Sequence, residues 1–193
     1  MEKKLKNKDI LVKHETAHAY ELSAAVFEKP QLSVWMILIP IIFVFHMYRH
    51  QRYVNGRKAF TENYLITRNR AIDAAYSSCL NDDTTDLTQF VTTSGVPDST
   101  KGEFRGWIKM LIEHYQTLIL ANGNDFESLV RDAYKTKMNY LLVINSLNTA
   151  ERRFSEALKP HIGADLQAVE NTIDKIDHHT EIIRKQSAEL IFS

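Results

Sequence analysis

The sequence predicts an all-α fold: a single transmembrane helix, then a soluble antiparallel helical bundle whose terminal helix is coiled-coil-like. Two observations carry this expectation. From Pro30 to Tyr48 there is no Asp, Glu, Lys or Arg, and the run from Leu32 to Phe45 leaves no polar helix face for water. After it, apolar residues recur at three- and four-residue steps, the period of one face of an α-helix.

Residues 1–29 read as a juxtamembrane amphipathic arm, with Ile10, Leu11, Leu22, Ala25 and Val26 available for an apolar side. Residues 30–48 form the expected span. Their nineteen residues, at about 1.5 Å each, match the roughly 30 Å hydrocarbon core of a bilayer. Trp35 and Tyr48 stand where amphipathic rings prefer the headgroups, and Arg49, Arg52, Arg57 and Lys58 follow as interface cations. Pro40 removes one backbone donor in mid-run; it predicts a kink, with the turn of a re-entrant hairpin as the alternative.

Sidedness follows from the flanking cations. Residues 12–31 hold Lys13 and Lys29, whereas residues 49–68 hold Arg49, Arg52, Arg57, Lys58 and Arg68, which places the C-terminal part in the cytoplasm. Lys3, Lys4, Lys6 and Lys8 run against that assignment.

Residues 49–80 read as a basic helical stalk carrying Phe60, Tyr64, Ala71, Ile72, Ala75 and Cys79 at helical spacing. Six basic and two acidic residues give it a net charge of +4, and juxtamembrane cations contribute about 1 kcal/mol each against anionic lipid. Residues 81–102, rich in Asp, Thr and Ser, read as a polar loop with one helical turn at Leu87–Val91. Residues 103–193 then form the bundle domain. Its expected helices run from about 103 to 121, from Asp125, a suitable N-cap, to about 158, and from 165 to 191. The last carries Ile173, Ile176, Ile183 and Leu190 on a seam interrupted by Thr180 and Ser187, a candidate surface for a protein partner.

Composition excludes several classes. One Cys in 193 residues is no disulfide scaffold, and 24 basic residues against 24 acidic ones lack the excess of cations that drives phosphate binding, so no nucleic-acid partner is expected. No Gly-rich phosphate loop or nucleophile elbow occurs.

One motif does point to chemistry. His14-Glu15-Thr16-Ala17-His18 matches the pattern in which two His one helical turn apart hold zinc and the Glu activates water. A single crossing at 30–48 would put the bilayer between this motif and the other His residues of the large domain. A juxtamembrane helix is therefore preferred here, with a zinc-dependent membrane peptidase using His14, Glu15 and His18 as the alternative. His178 and His179, near Asp174, Asp177 and Glu181, form a weaker cluster on an expected solvated face. No cofactor is implied.

Arg68-Asn69-Arg70-Ala71-Ile72-Asp73-Ala74-Ala75-Tyr76, soon after the apolar run, is similar to LemA-type membrane proteins. The likeness covers about a dozen residues, and the loop at 81–102 departs from that family's continuous helices. No function is carried over from it. The expected role is a membrane-anchored scaffold, adaptor or accessory subunit whose partners are membrane lipid and another protein or a second copy. A lipid-surface or envelope-stress structural protein is the further alternative.

Overall fold

α4, Lys101–Leu120, organises the molecule. It buries Phe104, Trp107, Ile108, Leu111, Ile112, His114, Tyr115, Leu118 and Ile119, an apolar arc too wide for one neighbour to cover. The computed structural model, which describes residues 1–26, 54–81, 86–161 and 166–193, surrounds this helix accordingly. α2 (Val54–Asn81) and α6 (Lys137–Leu158) flank it, while α1 (Glu2–Val26), α3 (Leu87–Thr92) and α5 (Phe126–Tyr134) close the remaining gaps. α7 (Leu166–Ile191) packs on α6, α1 and α5. Among the described residues the fold is all-helical, a bundle without strands.

Helix ends follow local chemistry. Asp125 accepts from the Ser128 backbone N–H while the Ser128 hydroxyl reaches back, a reciprocal capping box that starts α5. The long helix expected from 125 to 158 is two helices. Lys135 takes a positive φ of 64°, which ends α5, and Thr136 then caps α6 by accepting from the Asn139 N–H. The break lets α5 lie across α4 and α1 while α6 runs back along α4. Within the expected polar loop, Asp86 caps α3, whose Phe90 and Val91 are buried. The apolar turn foreseen at Leu87–Val91 is this helix.

α1 departs most from expectation. It is no detached arm: Leu11, Ala19 and Leu22 are at most 1% exposed, packed in the bundle beside Ala71, Ile72 and Phe60. α1 and α2 run antiparallel. Lys4 Nζ donates to the Cys79 carbonyl, Lys8 pairs with Asp73 at 2.8 Å, and Arg57 Nε donates to Ser23 Oγ at 3.3 Å. The expected stalk is likewise a core helix, with Phe60, Ala71, Ile72 and Ala75 fully buried.

The N-terminal lysines that opposed the orientation rule have a structural use. Lys3 Nζ donates to the Leu120 carbonyl and to Asn122 Oδ1, and Asn7 Nδ2 donates to the Ile119 and Ala121 carbonyls at 3.0 and 2.9 Å. Together with Lys4 they satisfy the last carbonyls of α2 and α4, where unpaired acceptors and the negative end of the helix dipole favour cations. These charges therefore have a place in the packing of the bundle.

Of the seam residues, Ile173 and Ile183 are buried in the bundle, Ile176 is half-buried and Leu190 is exposed. The seam mostly faces inward because α6 and α1 already cover it. Among the described residues, no helix is long and apolar enough to cross a membrane. The expected span at 30–48, with Trp35, Tyr48, Arg49 and Arg52, lies outside those residues.

Candidate functional site

Four charged side chains from four helices meet inside the bundle. Arg68 of α2, 2% exposed, lies 3.5 Å from Glu15 of α1 and 2.8 Å from Glu151 of α6. Arg184 of α7 lies 3.0 Å from the other Glu151 oxygen, an ion pair, and also contacts Asn148 Oδ1. The order Glu15, Arg68, Glu151, Arg184 alternates in sign, so two cations and two anions neutralise each other away from water. The Arg68 guanidinium also sits 4.3 Å above the Tyr64 ring, a cation–π contact strengthened by desolvation.

Three imidazoles border this centre. His14 stacks face to face on Phe126, with ring centroids 3.3 Å apart. His18 lies beside Tyr64, and its Nε2 has no hydrogen-bond partner among the described residues. His114 Nδ1 and the Tyr134 hydroxyl are 2.6 Å apart. With Glu15, Arg68 and Arg184 they line a cavity of about 30 Å³, room for a water molecule or two.

Burial sets the charge states. Desolvation holds His18 and His114 down to about 3, and lowers His14 as well, so all three are neutral near pH 7. For Glu15, burial by itself would raise the pKa; Arg68, helped by His18, overrides it and holds the carboxyl down to about 2. Asp177, near Glu151 on the α6–α7 side, is pushed up to about 7 by burial and by the Glu151 carboxylate.

These states bear on the H-E-x-x-H motif. The structure brings His14, Glu15 and His18 together with His114, which a single crossing would have kept apart. Glu15 faces Arg68 at 3.5 Å and is held as a carboxylate by that cation. His14 is stacked on Phe126. Among the described residues, no group of three His, Cys, Asp or Glu side chains is arranged to hold a metal ion. Glu15 and His18 share the buried face of α1, Glu15 beside Arg68 and His18 beside Tyr64.

The second cluster is dispersed. Asp174 pairs with Lys159, and Glu181 with Arg152 and Lys185, while His178 is exposed. Burial raises the half-buried Cys79 thiol, leaving it less of a thiolate. In the sequence Arg68 reads only as a cation flanking the apolar run, and Glu151 and Arg184 stand out in no pattern. A signal existed: Phe60, Tyr64 and Arg68 follow one another at four-residue steps on the buried stripe of α2, and a cation at a stripe position requires buried anions.

No family model, curated protein or solved structure matches this chain. The likeness of residues 68–76 to LemA-type proteins therefore rests on those residues alone.

Proposed function

We propose that this chain is a membrane-attached helical protein whose bundle serves as a binding module, a scaffold or accessory subunit of a membrane complex. The observation that carries the reading is the uncharged run from Pro30 to Tyr48, inserted between two helices that both belong to the bundle core. A chain with no use for lipid would gain nothing from nineteen uncharged residues at the end of a well-packed domain. The centre around Arg68 supports a structural role for the polar groups: its charges alternate in sign and its cavity is about 30 Å³.

Alkaline extraction of membranes from cells expressing the full chain tests the anchor. The protein stays in the pellet, and Ile37→Asp combined with Ile41→Asp moves it to the supernatant; wild-type protein in the supernatant would refute the reading. For the binding module, Met138, Leu142 and Leu190 are exposed apolar residues on α6 and α7. Their replacement by Lys abolishes crosslinks from the bundle to its neighbours in intact membranes while the anchor persists.

A further inference from the structure

The cavity beside Arg68 has a wall of unequal charge. Two guanidiniums, Arg68 and Arg184, line it against one carboxylate, Glu15, so positive charge is in excess there. Arg68 and Glu15 offset each other at 3.5 Å. Arg184 has its own counterion in Glu151, 3.0 Å away, but Glu151 is not among the groups that line the cavity.

Three imidazoles complete the polar lining. His14, His18 and His114 are neutral near pH 7, so each brings one N–H donor and one acceptor nitrogen. His114 Nδ1 is engaged with the Tyr134 hydroxyl at 2.6 Å. His18 is only 8% exposed, and its Nε2 has no hydrogen-bond partner among the described residues. A polar atom held that far from water calls for a partner.

Sign and size narrow what that partner is. A cation would face both guanidiniums with a single carboxylate, already held by Arg68, to offset them. A volume of about 30 Å³ is close to the share of one molecule in liquid water, and a chloride ion is only slightly larger. Leu111, Ile144 and Leu147 supply an apolar part of the wall, where attraction between charges is screened less than in water. The same surroundings strip the ion of its hydration, which costs a single charge far less than a double one.

We infer that this cavity binds one halide-sized monovalent anion, with Arg184 as its counter-charge and the His18 Nε2–H as a donor. The site draws on α1, α2, α4 and α7, so a bound ion holds four helices together and stabilises the folded bundle by mass action. It is independent of the membrane attachment.

The test is thermal unfolding of the detergent-solubilised full chain at pH 7 and constant ionic strength, with sodium gluconate replaced stepwise by sodium chloride or bromide. The midpoint of the wild type rises and saturates, and the chlorine NMR line broadens with the same concentration dependence. Arg184→Gln weakens the response about tenfold or more, the loss of one hydrogen bond to a charged group. Because that variant also disturbs Glu151, His18→Leu, which leaves all four charges in place, is the second probe and weakens the response likewise. Lys58→Ala, at an exposed cation, leaves it unchanged. A wild-type midpoint indifferent to chloride would overturn the inference. So would a response undiminished in both cavity variants, which would assign it to surface cations, or stabilisation by zinc gluconate and not by sodium chloride, which would assign the cavity to a metal.

Discussion

Around Ile108, Leu118 and Ile119 of α4 the helices of this bundle meet through hydrocarbon, whereas around Arg68 the helices packed about α4 meet through charge. The first region is non-directional: its stability scales with apolar area removed from water and is indifferent to pH. The second is directional. Its groups are tolerable inside only as a complete set, because each unpaired ion would carry its full desolvation cost. An apolar layer fastens helices together; a polar one specifies which helices and in what register, since Glu15, Arg68, Glu151 and Arg184 come from α1, α2, α6 and α7.

The sharpest way to break the comparison is Arg68→Met, which leaves Glu15 and Glu151 without their shared cation. A loss of about 3–5 kcal/mol is expected in chemical denaturation of the detergent-solubilised full chain. Adding Glu15→Leu recovers part of that loss, since Glu151 keeps Arg184 and no carboxylate is then left buried without a cation. If the double variant is less stable than Arg68→Met, the charges act independently and the account of the polar region fails. In the apolar region, Leu118→Ala costs about 2–5 kcal/mol by leaving a cavity, and the same amount at pH 5 as at about pH 8.

The two regions should also separate on acidification. His18 and His114 are held near 3 in the folded state against an ordinary value of about 6.5, so the unfolded chain binds more protons below that value and stability falls as pH drops. Each contributes a slope of about 1.4 kcal/mol per pH unit. Asp177 has the opposite sign. Its folded value is raised to about 7, so its contribution is present at low pH and is lost as pH rises through that value. Two histidines outweigh one carboxyl, and the net effect is acid destabilisation. Thermal unfolding across this range shows it: His114→Phe flattens the profile and Asp177→Asn steepens it.

A smaller effect belongs to Asn7, whose amide satisfies two carbonyls at the end of α4. Asn7→Leu costs about 1–3 kcal/mol at every pH, read by the same denaturation experiment. The exposed pair of Lys58 and Glu62 marks the lower limit. Lys58→Ala shifts stability by about 0.5 kcal/mol or less, because water screens both partners.

Much of the secondary structure was legible. The stripes of Phe60, Ile72 and Ala75 on α2 and of Phe104, Ile108, Leu111 and Leu118 on α4 appear at helical spacing in the sequence, and the structure buries them. The break at Lys135 was not legible, because a positive φ at a lysine is imposed by what α5 and α6 pack against and leaves no mark in residue type. His14, Glu15 and His18 were visible as a motif, yet their setting was misread. Spacing alone says that Glu15 and His18 share a face; it does not say that Arg68, 53 positions away, waits opposite.

By itself the sequence determined that the chain is helical, where its apolar faces lie and that one uncharged run interrupts them, because hydrophobic period and turn chemistry act over a few residues. Only the tertiary structure decided that α1 pairs with α2, that the amino-terminal lysines close helix ends, and that a metal-like motif supplies a buried carboxylate to an arginine. Those outcomes depend on contacts between residues dozens of positions apart, and the choice among such contacts is made by how all the helix faces can be covered at once.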